Sequence, residues 1–148
     1  AAPMHDIGKI GIPDQILLKP GKLTAEEMTI IKQHCETGAR IIGEHQGKSR
    51  LFEMARTIAL THHERWDGTG YPRGLAGEEI PIEGRIAAIA DVFDALNSPR
   101  PYKQPWPLED TVAYLRDQAG RHFDPTLVAL FLDHLPQAQE VMRQWQDR

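Results

Sequence analysis

Apolar positions recur with helical spacing in nearly every patterned segment of this chain. Ile31, Cys35, Gly38 and Ile42 form one stripe. Ahead of it, Thr24-Ala25-Glu26-Glu27 is a capping-box signature, in which Thr24 and Glu27 each satisfy the other's free amide. Leu51, Met54, Ala55, Ile58 and His62 form a second stripe, so His62 continues an apolar face instead of leaving it. A third helix is expected from Arg85 to Leu96, broken by Asn97-Ser98-Pro99-Arg100-Pro101. Pro107 starts a helix carrying Leu108, Val112 and Leu115 that Gly120 ends, and Asp124-Pro125 opens another with Leu127, Leu130, Phe131 and Leu135. Shorter pieces complete the reading. His5 and Asp6 close a helix that Gly8 ends, Pro13 starts a short helix through Leu18, and Gln137 to Arg148 form a weak last helix beyond Pro136. The Gly- and Pro-rich stretch from Arg65 to Ile82 reads as a long ordered loop. Strand signals are nearly absent, so the predicted fold is all-α.

Composition narrows what such a fold does. At 148 residues with 41% apolar and 26% charged, the chain suits one globular domain. Its formal net charge of -4 does not favour DNA or an anionic membrane, so an anionic substrate needs locally placed cations. The single cysteine, Cys35, excludes a disulfide framework and a thiolate zinc site and reads as a small buried apolar residue. There is no secretory signal and no run of roughly 20 apolar residues to span a bilayer, so a cytoplasmic location is expected. The abrupt start, four residues before His5, reads as a piece of a longer protein.

The polar residues inside these patterns carry the chemistry. His5-Asp6 and His62-His63 are two adjacent pairs of metal-type ligands, and Asp6 has the oxygens to bridge two ions. Asp91 and Asp94 are the polar groups of the apolar run Ile86–Leu96, and a spacing of three puts them on one helical face. Burying such a carboxylate unpaired costs several kcal/mol, so a cation is expected beside it; Arg85 or Arg100 is the alternative to a metal. His34 lies beside the inward stripe. His45, His122 and His134 are assigned to the architecture. Six ligands, His5, Asp6, His34, His62, His63 and Asp91, are too many for one catalytic ion with an open position, and paired metals suit displacement at phosphorus. Lys9, Arg100 and Lys103 are the cations placed to meet phosphate, and Tyr71 and Trp66 to stack on a base. Glu64, Asp67 and Asp94 are expected to support the ligands from behind.

These residues resemble the HD-GYP family of the HD phosphohydrolase superfamily. The matching runs are His-Asp-Ile-Gly-Lys at 5–9, Leu-Lys-Pro-Gly-Lys-Leu at 18–23, His-His-Glu at 62–64 and Gly-Tyr-Pro at 70–72. Asp-Val-Phe-Asp-Ala-Leu at 91–96, Arg-Pro-Tyr-Lys at 100–103 and His-Phe-Asp-Pro at 122–125 complete the set. The resemblance implies a helical bundle over residues 1–135, with 136–148 as a C-terminal helical extension. It implies two divalent ions (three in some members), usually iron or manganese, and hydrolysis of cyclic di-GMP to pGpG and sometimes GMP. His5, Asp6, His34, His62, His63 and Asp91 match the metal ligands, and Lys9 and Asp6 are the expected catalytic residues. Lys9, Tyr71, Arg100 and Lys103 match substrate contacts. Members carry a further ligand helix before the His-Asp pair, which is expected upstream together with a regulatory domain; the groove it would fill invites self-association. The alternative is a catalytically impaired module that binds cyclic di-GMP or a signalling partner, such as a diguanylate cyclase domain, through the Gly-Tyr-Pro loop.

Overall fold

The computed structural model describes residues 2–44, 49–101 and 103–146. His45 and Tyr102 lie outside the described residues, as do Ala1 and the last two positions. Eight α-helices are described: α1 (Asp14–Leu17), α2 (Ala25–Lys32), α3 (His34–Glu44), α4 (Arg50–Thr61), α5 (Ile82–Asn97), α6 (Leu108–Gln118), α7 (Pro125–Asp133) and α8 (Leu135–Gln146). No strand is present among the described residues, and no described helix is long and apolar enough to cross a membrane. The all-α expectation holds.

Local rules explain most boundaries. Both capping-box bonds form at α2: Thr24 N donates to Glu27 Oε2 over 2.8 Å, and Glu27 N to Thr24 Oγ1 over 3.1 Å. Asp124 caps α7 by accepting from Thr126 N and Leu127 N, with Pro125 in the first turn. Pro81 lets α5 begin at Ile82, three residues before the expected Arg85.

The structure departs from the expected elements at several points. The stripe through Ile31, Cys35 and Ile42 does not lie on one helix, because the chain breaks at Gln33 between α2 and α3. That break lets the His34 ring reach back to Ile31 O. Residues 2–11 form two 3-10 turns, Ala2–Met4 and Ile7–Gly11, and Gly8 sits inside the second instead of ending a helix. A Cβ on Gly8 would collide with the His34 carbonyl and lie 2.6 Å from Gly38 N, so this glycine permits backbone-to-backbone packing on α3. On α4, Leu51 and Met54 are exposed while Ala55, Ile58 and Ala59 are buried. Small residues bring α4 close to Ile42 of α3 and turn the larger side chains outward.

The main core gathers Ala88, Ile89 and Phe93 of α5, Leu115 of α6, Phe123, and Val128 of α7. Each large side chain buried here contributes roughly 1.5–3 kcal/mol. Leu135, Ala138 and Met142 of α8 pack on the same cluster, so the C-terminal helix shares this core. Pro136 falls in the first turn of α8, where proline is tolerated, and does not interrupt it. The turn at Ile7–Gly11 packs on α3, α3 on α4, and α4 on α5, an arrangement that carries four separated stretches to one place.

Candidate metal centre

Three histidines reach that place with their rings already oriented. His5 Nδ1 lies 2.6 Å from Ala2 O, His34 Nδ1 2.7 Å from Ile31 O, and His62 Nδ1 2.9 Å from Ile58 O and 3.1 Å from Ala59 O. A carbonyl oxygen only accepts, so in each ring Nδ1 carries the proton. Nε2 is left to face inward, the arrangement that second partners impose on metal-binding imidazoles. Asp6 precedes the Ile7–Gly11 turn but makes no capping bond to it, and its carboxylate points to the imidazoles.

The carboxylate divides its two oxygens. Oδ1 lies 3.5 Å from His34 Nε2 and 3.7 Å from His62 Nε2; Oδ2 lies 3.3 Å from His5 Nε2 and accepts from Lys9 Nζ at 3.0 Å. Asp91 Oδ1, from α5, stands 3.4 Å from His5 Nε2. The His63 ring lies 4.1 Å from that of His62 and 5.0 Å from that of His34, centre to centre. Two overlapping groups have ligand atoms within 4.8 Å of one another: His34, Cys35, His62 and His63, and His5, Asp6 and His62. All six expected ligands are therefore in one cluster.

Burial and charge tune the cluster in opposite directions. The Asp6 and Asp91 carboxylates beside His5 push its imidazole up to about 10. Burial works against ionising Asp6, yet contacts to His5, His62 and Lys9 together hold it well below the usual carboxylate range. His5 also lowers Asp91. Burial, then the neighbouring His62 and His34, hold His63 down to about 3, and burial lowers His34.

These residues fit divalent ions. His5 Nε2 and His62 Nε2 are buried and make no aligned hydrogen bond, despite the carboxylates nearby. Leaving such atoms unpaired costs about 1–3 kcal/mol each. Cations held by imidazole nitrogens and carboxylate oxygens would remove that cost. Cys35 was not a candidate from sequence, but its Sγ is 3.8 Å from His34 Nε2 and completely buried. Burial pushes its thiol up to about 12. Its place in the inward stripe was the available signal; what lay at the end of that stripe was not visible.

The glycine-rich loop is fixed from behind by Glu64. This buried carboxylate accepts from Arg73 N at 2.7 Å and Leu75 N at 3.0 Å, so its hydrogen bonds support the loop and, among the described residues, none goes to a candidate ligand. Gly70 allows the loop to fold back, since a Cβ there would meet His63 O and Arg65 N. Tyr71 then stacks on His63 with centroids 4.8 Å apart, and Lys32 Nζ lies 5.1 Å from the centre of the Tyr71 ring. The sequence carries no signal that places Lys32 there.

Other expected residues lie farther out. Asp67 is exposed and closes its own turn by accepting from Thr69 N and Oγ1, with no bond to a ligand. Asp94 accepts from Ser98 Oγ at the end of α5 and likewise does not hold a ligand. Arg100 and Lys103 pair through their backbones on an exposed segment, and Lys103 Nζ lies 5.8 Å from the Trp106 ring centre. Arg85 does not pair with Asp91; its Nη1 donates to Asp124 Oδ2 at 2.8 Å. Trp66 N donates to His122 O, which anchors the loop to the segment before α7. His122 and His134 stand apart from the centre, in keeping with architectural roles.

A family model for the HD domain matches residues 1–127. The chain belongs to the HD-domain family. Its motifs are those of the HD-GYP branch. The chain is 55% identical over 134 residues to 3'3'-cGAMP-specific phosphodiesterase 2 of Vibrio cholerae, covering 90% of this chain and 25% of that protein. It is 51% identical over 145 residues to the cyclic di-GMP phosphodiesterase response regulator RpfG of Xanthomonas campestris pv. campestris, covering 98% of this chain and 38% of the relative. It is 52% identical over 147 residues to a cyclic di-GMP phosphodiesterase of Thermotoga maritima, covering 99% and 39%. The chain thus spans between a quarter and two-fifths of the length of these curated relatives.

Proposed function

We propose that this HD domain is the catalytic part of a metal-dependent phosphodiesterase that opens cyclic di-GMP to pGpG. The observation that carries the reading is the Asp6 carboxylate, shared between His5 on one side and His34 and His62 on the other. His5, Asp6 and Asp91 would hold one divalent ion, and Asp6, His34, His62 and His63 a second, with iron or manganese the expected occupants. When bound, such ions supply Lewis acidity toward phosphate oxygens and lower the pKa of water.

The chain's own groups do the rest. Lys9 Nζ, held at 3.0 Å by Asp6, adds positive charge where a non-bridging phosphate oxygen would sit. Tyr71, its hydroxyl pushed up to about 12 by burial, stays protonated and would offer a donor to a bound substrate. Arg100 and Lys103 extend the cationic surface beyond α5 toward a second phosphate or a guanine edge. A cavity of about 250 Å³ lined by Ala2, Pro3, Ile58, Ala87 and Ala90 opens beside His5 and Asp91. Its apolar lining supports the expectation that an upstream ligand helix, or a second copy, covers this side.

A second substrate reading has its own support, because the relative at 55% identity is named for 3'3'-cGAMP. Turnover of both dinucleotides side by side, on manganese- or iron-loaded protein, tests the proposal. Cleavage of cyclic di-GMP at the higher kcat/KM is expected. Faster cleavage of 3'3'-cGAMP selects the second reading, and cleavage of neither by full-length protein removes both.

A further inference from the structure

We propose that a second anion site, built for the phosphate monoester of a nucleotide, lies on the far face of α3 from the metal centre. Arg40 of α3, Arg56 of α4 and Arg73 of the glycine-rich loop line one open cavity of about 600 Å³. The volume falls within the roughly 300–1,000 Å³ of small-molecule sites. On α3 the cavity positions are turned about 140–240° around the axis from His34, so this is a separate surface. The inference does not depend on the reaction proposed above.

Charge is the argument. Among the described arginines, Arg65, Arg85 and Arg143 stand within 4.0 Å of a carboxylate, and Arg40, Arg56 and Arg73 differ from the other unpaired ones in lining a single cavity. The side chains of Arg40, Arg56 and Arg73 make no hydrogen bond or ion pair with any described residue, although the chain carries a net charge of -4. Glu36, the one carboxylate among the described residues that line the cavity, pairs with none of them. Three like charges around one concavity repel each other, and a dianion removes that repulsion. Guanidinium forks match phosphate oxygens two at a time. Between them the floor is Ala39, Gly43 and Leu60, which leaves room and apolar surface for a sugar or base. Arg73 N donates to Glu64 Oε1, and Glu64 follows His63, so this wall is continuous with the loop that packs over the metal ligands.

Amide NMR titration of the zinc-loaded protein with GMP, inorganic phosphate and guanosine tests the site. GMP is expected to shift the amides of Arg40, Gly43, Arg56 and Leu60, and guanosine to leave them unmoved. In Arg40→Gln/Arg56→Gln, two exposed positions, the apparent Kd for those shifts is expected to rise about tenfold or more, with the remaining spectrum preserved. Inorganic phosphate acting as strongly as GMP would support the site and assign it to free phosphate. Shifts confined to residues around His5, His63 and Asp91, equal shifts with guanosine, or no response to either anion would overturn it.

Discussion

Asp6 Oδ1 stands 3.5 Å from His34 Nε2, and the two residues belong to elements joined only by packing. The other Asp6 oxygen serves His5 and Lys9, so one side chain ties both halves of the cluster together. Asp6→Asn keeps the shape and removes the charge. Bound metal is expected to fall by at least half, measured by elemental analysis, and turnover by more than about 100-fold. Retention of both would show that Asp6 is not shared.

The contact between these halves depends on Gly8. A methyl group there would meet the His34 carbonyl and Gly38 N, both backbone atoms that cannot swing aside. Gly8→Ala is expected to cost about 1–3 kcal/mol in thermal or denaturant unfolding and to weaken metal binding through displacement of Asp6. Unchanged stability would mean that the turn and α3 are not in contact.

Glu64 supports the loop and not the candidate ligands. Glu64→Gln replaces one acceptor oxygen with a donor facing Arg73 N or Leu75 N, a mismatch worth about 1–3 kcal/mol. Metal content is expected to stay near normal while KM rises, because Tyr71 loses its fixed position over His63. Loss of metal without a change in KM would contradict this division of labour.

His122 supplies a pH dependence away from the candidate metal ligands. Burial, then the nearby Arg65, lower its imidazole to about 4, and its Nδ1 is buried without a partner. A histidine depressed on folding contributes stability above its unfolded pKa of about 6.5, and that contribution is lost as pH falls toward 4. The wild-type Tm is expected to drop more steeply across that window than the Tm of His122→Gln. Parallel profiles would show that His122 titrates normally.

Adjacent candidate ligand pairs, His5-Asp6 and His62-His63, made the cluster legible because few structural needs place two such residues side by side. Thr24 and Asp124 announced their helices for a similar reason: each cap is a local bond between residues close in sequence. What escaped was set by packing between distant segments. The break at Gln33, the outward turn of Leu51 and Met54, the Arg85–Asp124 pair and the nearness of Cys35 to three imidazoles follow from how α3, α4, α5 and α7 meet. Hydrophobic spacing says which side of a helix faces inward, and is silent on what waits there. Glu64 illustrates the limit: its place beside the histidine pair suggested support for a ligand, while its bonds go to the loop.

Under the proposed function two cations would share Asp6. Anomalous diffraction from crystals loaded with manganese or iron tests it most directly. The account predicts two peaks flanking the Asp6 carboxylate, one beside His5 and Asp91 and the other among His34, His62 and His63. A single peak, or peaks remote from Asp6, would contradict it.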